Sequence, residues 1–178
     1  MFYICRDGNI ELLNLFCSKG ANINERDSFN QSPIFYASRD GQYECIKRMI
    51  ELDANVNQKD KVNETALFYA AREGKTKVCE VLLNHGAKIN IIDHKRQTAL
   101  FFAKKNGHTE TIALLISRNA INTKNGIIKP SDIAKLQREK KKAGTQRGSQ
   151  KSGLGNNSAT DSKGGRSAHN SLSQIKKV

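Results

Sequence analysis

The 178 residues carry 30 Lys+Arg against 17 Asp+Glu, a net charge of +13, with 37% hydrophobic residues and a mean hydropathy of −0.62. That length and leanness allow one domain plus an appendage that builds no core, and the charge favours acidic partners. No run reaches the length of a spanning helix and no basic-then-apolar leader opens the chain, which disfavours membrane and secreted classes and leaves a cytoplasmic chain, with the nucleus as the alternative.

The body repeats every 33 residues: Gly8, Gly41, Gly74 and Gly107 keep that step, as do Ala21, Ala54, Ala87 and Ala120. Asp27, Asp60 and Asp93 follow it, and so do Asn24, Asn57 and Asn90. A fixed period of this size marks stacked repeats. In chain order, Met1, Phe2 and Tyr3 align with Ile34, Phe35 and Tyr36, so a partial first repeat, 1–24, begins inside its own first helix. Full repeats of about 25–57, 58–90 and 91–122 follow. In each, Ser32, Thr65 or Thr98 offers an N-cap, with Pro33 suited to the first helical position after Ser32. A short helix then runs to Gly41, Gly74 or Gly107. A second helix carries apolar residues at helical spacing: Ile46, Met49 and Ile50; Cys79, Leu82 and Leu83; Ile112, Leu115 and Ile116. Asp53, Gly86 and Asn119 close these second helices, and an Asn-rich, charged turn leads onward. Each hairpin has an apolar face that only a neighbour can cover.

Pro130 to Lys135 reads as a fifth turn, opening a polar C-terminal cap of about 127–142. From Lys135 to Val178 there are 11 basic and 2 acidic residues, and 143–178 holds 6 of the 13 Gly with scattered apolar residues. That segment is expected to be a disordered basic tail.

The pattern resembles the ankyrin repeat family. Its Thr-Pro-Leu-His turn, helix-ending Gly, Val-x-x-Leu-Leu and Gly-Ala-x-x-Asn appear here as Thr65-Ala66-Leu67, Gly74, Cys79-Glu80-Val81-Leu82-Leu83 and Gly86-Ala87-Lys88-Ile89-Asn90. The resemblance covers residues 1–142. It implies an all-α ankyrin-repeat solenoid of helical hairpins with projecting β-turn loops, binding a protein partner through loop tips and a concave face. Two departures stand out. Phe35, Phe68 and Phe101 replace the turn histidine, which predicts an aromatic column along the stack. Asn30, Asn63 and Arg96 replace the loop-tip glycine, with Arg96 the costliest in a left-handed backbone.

Chemistry is sparse. His85, His94, His108 and His169 fall in no paired metal-ligand spacing and read as surface histidines. Cys5, Cys17, Cys45 and Cys79 show no C-x-x-C spacing, and Cys17 and Cys79 fall at core positions of second helices. No nucleophile–base pair stands outside the repeat pattern. No catalytic, cofactor-binding or metal-binding residue is assigned, and a monomeric non-enzyme is expected.

Under the resemblance, the candidate protein-binding residues are Arg26, Phe29, Lys59, Lys61, Val62, Ile92 and Lys95 on the loop tips, with Ser28 and His94 beside them. Phe29 and Val62 are apolar anchors or, alternatively, loop-to-loop packing. Arg6, Arg39, Arg72 and Lys105 form a basic ladder before the turn glycines, and the plain reading of that ladder is helix-dipole complementation. Asp7, Asp40 and Glu73 follow the arginines, whereas Lys105 lacks such a neighbour. Net charge climbs from −2 over 25–57 to +2 over 58–90 and +3 over 91–122, which would draw an acidic ligand to the later repeats. Besides a protein-binding scaffold, two readings stand: nonspecific nucleic-acid association through the tail, and a fragment of a larger ankyrin-containing protein.

Overall fold

The computed structural model describes residues 1–121, all within the repeat region. The expected cap (127–142) and tail (143–178) lie outside the described residues, as does the last residue of the repeat expected at 91–122.

Among the described residues there are eight helices and no strands. They alternate in four hairpins: α1 (Phe2–Arg6) with α2 (Ile10–Ser18), α3 (Pro33–Asp40) with α4 (Tyr43–Glu51), α5 (Ala66–Arg72) with α6 (Thr76–Asn84), and α7 (Ala99–Lys105) with α8 (Thr109–Ser117). The first helices stack in the order α1, α3, α5, α7, and the second helices in the order α2, α4, α6, α8. Small buried residues on the first helices (Ala37, Ala70, Ala71, Ala103) allow that close approach. Larger ones on the second helices (Leu13, Ile46, Met49, Leu82, Leu115) fill the space between the layers.

Several expectations change in detail. Ser32 and Thr65 make no side-chain cap bond, and Ser32 Oγ is buried without a partner; only Thr98 accepts from the Phe101 amide, at 3.4 Å. The turns are held instead through main-chain carbonyls, with the Phe35 amide donating to Ser32 O and the Phe68 amide to Thr65 O. Cys79 is buried, its thiol pushed up to about 12 by desolvation, but Cys17 is half-buried at the core's edge and Ile116 is exposed. Arg96 adopts φ +64°, matching Asn30 at +64° and Asn63 at +67°, so the third loop keeps the shape of the others.

The aromatic column exists, but it is built diagonally. Phe2 meets Tyr36 at 5.4 Å, Phe35 meets Tyr69 at 5.6 Å, and Phe68 meets Phe102 at 6.0 Å between ring centroids. Each phenylalanine thus packs on the ring one position further along the next repeat. Phe35 and Phe68 are fully buried, while Phe101 is half-buried and meets Phe102 of its own helix edge to face.

Two polar ladders fix the register. Asn24 Nδ2 donates to Asp53 O and its Oδ1 accepts from the Asn55 amide. Asn57 does the same with Gly86 and Lys88, and Asn90 with Asn119 and Ile121. At the other end of the hairpins, Gln42 Nε2 donates to Arg6 O and His108 Nε2 to Arg72 O. His108 is therefore a structural donor rather than a bare surface residue. It packs so closely under Gly74 that a Cβ there would sit 2.5 Å from its Nδ1, and Gly74 also has φ +64°. His85 likewise donates through Nδ1 to Val81 O.

Candidate interaction surface

The loop tips are rigid by construction. Asp27 Oδ1 accepts from the amides of Phe29 and Gln31, Asp60 Oδ1 from Val62 and Glu64, and Asp93 Oδ1 from Lys95 and Gln97. A short carboxylate that gathers two amides two and four residues on closes the turn, which is why aspartate recurs there. Neighbouring tips are then tied together, the Lys61 amide donating to Phe29 O and the His94 amide to Val62 O. Loop-to-loop packing is thus a main-chain event. The side chains of Phe29 and Val62 stay 64% and 48% exposed.

Behind the tips, the second carboxylate oxygen reaches the first helices. Tyr36 Oη donates to Asp27 Oδ2 at 2.7 Å and Tyr69 Oη to Asp60 Oδ2 at 2.9 Å. These bonds, with burial, raise the pKa of both tyrosines. Gln31 Nε2 adds a bond to Tyr69 Oη at 2.7 Å. The fourth hairpin breaks the series, because Phe102 stands in the tyrosine's place and, among the described residues, no side-chain hydroxyl bonds Asp93. The residue aligned with Gln31 changes with it. Glu64 forms an ion pair with Arg72, whose guanidinium lies 4.2 Å from the Phe102 ring centroid and 5.1 Å from that of Tyr69. Burial raises the Glu64 pKa, and Arg72 only partly opposes that.

The basic ladder has local partners as well as a dipole to complement. Arg6 lies over Tyr3 and pairs with Asp7; Arg39 lies over Tyr36 and pairs with Asp40. Lys105 has no ion pair among the described residues.

The structure gathers four of the candidate residues around one pocket of about 300 Å³. Val62, Arg72, Lys95 and Lys105 line it together with Glu64, Asp93, His94, Gln97 and Phe102. The others lie apart. Arg26 hydrogen-bonds Asn30, Lys59 and Lys61 are exposed, Ile92 is half-buried, and Phe29 projects beside the preceding joint. Phe102 and Glu64 are lining residues that the sequence reading passed over. Their signal was present in the aligned triplets Tyr36, Tyr69, Phe102 and Gln31, Glu64, Gln97.

The model for ankyrin repeats (three copies) matches residues 1–93. The chain belongs to the ankyrin repeat family. Ankyrin repeats are generally protein–protein interaction modules, and the family is typically non-catalytic. No curated protein matches the chain. Among the described residues of this ankyrin chain, no helix is long and apolar enough to cross a membrane, and no cluster of three or more His, Cys, Asp or Glu is placed to hold a metal ion.

Proposed function

We propose that this ankyrin chain is a non-catalytic scaffold that holds an acidic protein partner on the face formed by its loop tips and first helices, with residues 1–142 as the binding domain. The observation that carries this is the row Phe29, Val62 and Lys95, which recurs at equivalent tip positions. Its backbone is fixed by inter-loop hydrogen bonds while the Phe29 and Val62 side chains remain open. Exposed side chains carried on an already fixed backbone spare the backbone's share of the ordering cost on binding, the advantage of a rigid scaffold. The shift from apolar at the first two positions to cationic at the third favours a partner with apolar residues leading into acidic ones.

The test is affinity capture with the full chain and with a combined Phe29→Ser, Val62→Ser, Lys105→Glu variant. Partners lost from the variant and retained by a Lys19→Glu control support the face. Every partner staying bound to the triple variant would sink it. The second reading, nonspecific nucleic-acid binding, draws on the 11 basic and 2 acidic residues of 135–178. It expects retention on a polyanion that falls steeply with salt and is indifferent to the triple change.

A further inference from the structure

The pocket between the third and fourth hairpins differs from its counterparts in the state of its charges. At the preceding joint the residues matching Lys95 and Lys105 are Val62 and Arg72. The first is uncharged, and the second is neutralised by Glu64. One joint earlier they are Phe29 and Arg39, the latter paired with Asp40. Of these joints, only the later one has exposed lysines without an ion pair among the described residues at both aligned positions, one on a loop tip and one at a helix end, and both line the pocket. The apolar Phe102 and Val62 line the same pocket.

We propose that this pocket seats one aspartate or glutamate side chain of the protein partner, its carboxylate between Lys95 and Lys105 and its apolar neighbour on Phe102 and Val62. This deepens the scaffold reading above and rests on it. A carboxylate is favoured over a phosphate for two reasons. The pocket already contains Glu64 and Asp93, so each additional negative charge meets repulsion. Moreover, its one arginine, the side chain that would grip a phosphate bidentately, is committed to Glu64. Two lysines act as point charges and suit a single carboxylate.

The experiment selects random 12-residue peptides displayed on phage against the full chain, so that the basic tail is present in every arm. Recovered peptides are synthesised and their affinities measured for the wild type, for Lys95→Glu/Lys105→Glu, for Phe29→Ser/Val62→Ser and for Lys19→Glu. Both lysines are exposed, so the folded state tolerates their reversal, and circular dichroism checks this. Expected is an Asp or Glu in the recovered peptides whose change to Gln weakens binding about tenfold or more, as loss of a partly desolvated charge pair does. Reversing both lysines should match that loss, without further effect on the Gln peptide, and changing the acid to Lys should restore binding to the reversed protein. Peptides that bind wild type and lysine-reversed protein equally, or bind tighter with phosphoserine in place of the acid, overturn the carboxylate assignment. If those peptides still depend on Phe29 and Val62, the scaffold reading survives that failure. If they depend on neither pair, both readings fail.

Discussion

The second and third joints of the described stack solve one problem differently. Between the second and third hairpins, an amide and a hydroxyl lead from Gln31 through Tyr69 to the Asp60 carboxylate. Between the third and fourth, the tyrosine is Phe102 and the glutamine is Glu64, and the joint is closed by the Glu64–Arg72 pair beneath the Phe102 ring. Removing a hydroxyl strands whatever donated to it, so replacing the donor amide by a carboxylate that turns toward an arginine compensates within the same hairpins. The first solution ties the loop tip to the next helix through the Tyr69 hydroxyl. The second solution lines the pocket where four of the candidate residues meet.

The largest effect should come from what the joints share. Phe68→Ala removes a fully buried ring that packs on Phe102, and truncations of this kind cost about 3–5 kcal/mol. Phe35→Ala removes the matching contact with Tyr69 and should cost a similar amount. Urea denaturation monitored by circular dichroism measures both. A clear loss for one and less than about 1 kcal/mol for the other would mean that the diagonal column is not the common support.

Next in size is the tyrosine itself. Tyr69→Phe strips Asp60 of a donor and Gln31 of an acceptor, an expected loss of about 1–2 kcal/mol. Adding Gln31→Glu recreates the later joint's chemistry, since Arg39 stands to position 31 as Arg72 stands to Glu64. The double variant should therefore be more stable than the sum of the singles by about 0.5–2 kcal/mol. Strict additivity would show that the paired change at Glu64 and Phe102 is coincidental.

Most of the frame was legible in the sequence because it depends on local rules repeated four times. Most positive-φ positions take a glycine or asparagine, with Asp53 and Arg96 the exceptions, an aspartate closes each loop-tip turn, and apolar residues recur at helical spacing. What escaped were relations between repeats. The diagonal pairing of Phe35 with Tyr69 depends on how far one hairpin slides over the next, which no single repeat records. The Asn24, Asn57 and Asn90 clamps were visible as a period but not as bonds, because their acceptors and donors are main-chain groups of the next hairpin. Four candidate residues on the later pocket were named from position alone; the pocket itself required knowing that Glu64 turns to Arg72. His108 was undervalued because a turn histidine looks solvated until the carbonyl it bonds is located.

The smallest effect is the most discriminating between the joints, because, of the aligned residues Gln31 and Glu64, only the later joint's is an acid, and it is buried. Burial holds the Glu64 pKa above that of the unfolded chain, so the folded state binds the proton more tightly. Its contribution is then fully present below the unfolded value and is lost as pH rises through the folded one. The stability difference between wild type and Glu64→Gln should accordingly move in favour of wild type as pH is lowered from about 7 toward 4, the range that brackets ordinary and raised carboxylates. Gln31→Glu alone should introduce a similar trend where burial dominates, and a weaker one if Arg39 leaves Tyr36 to meet it. Urea midpoints for the three proteins across that range provide the measurement. A wild-type advantage that shrinks on acidification would mean that Arg72 outweighs burial, so that the joint is an ordinary ion pair rather than a desolvated acid held under an aromatic ring.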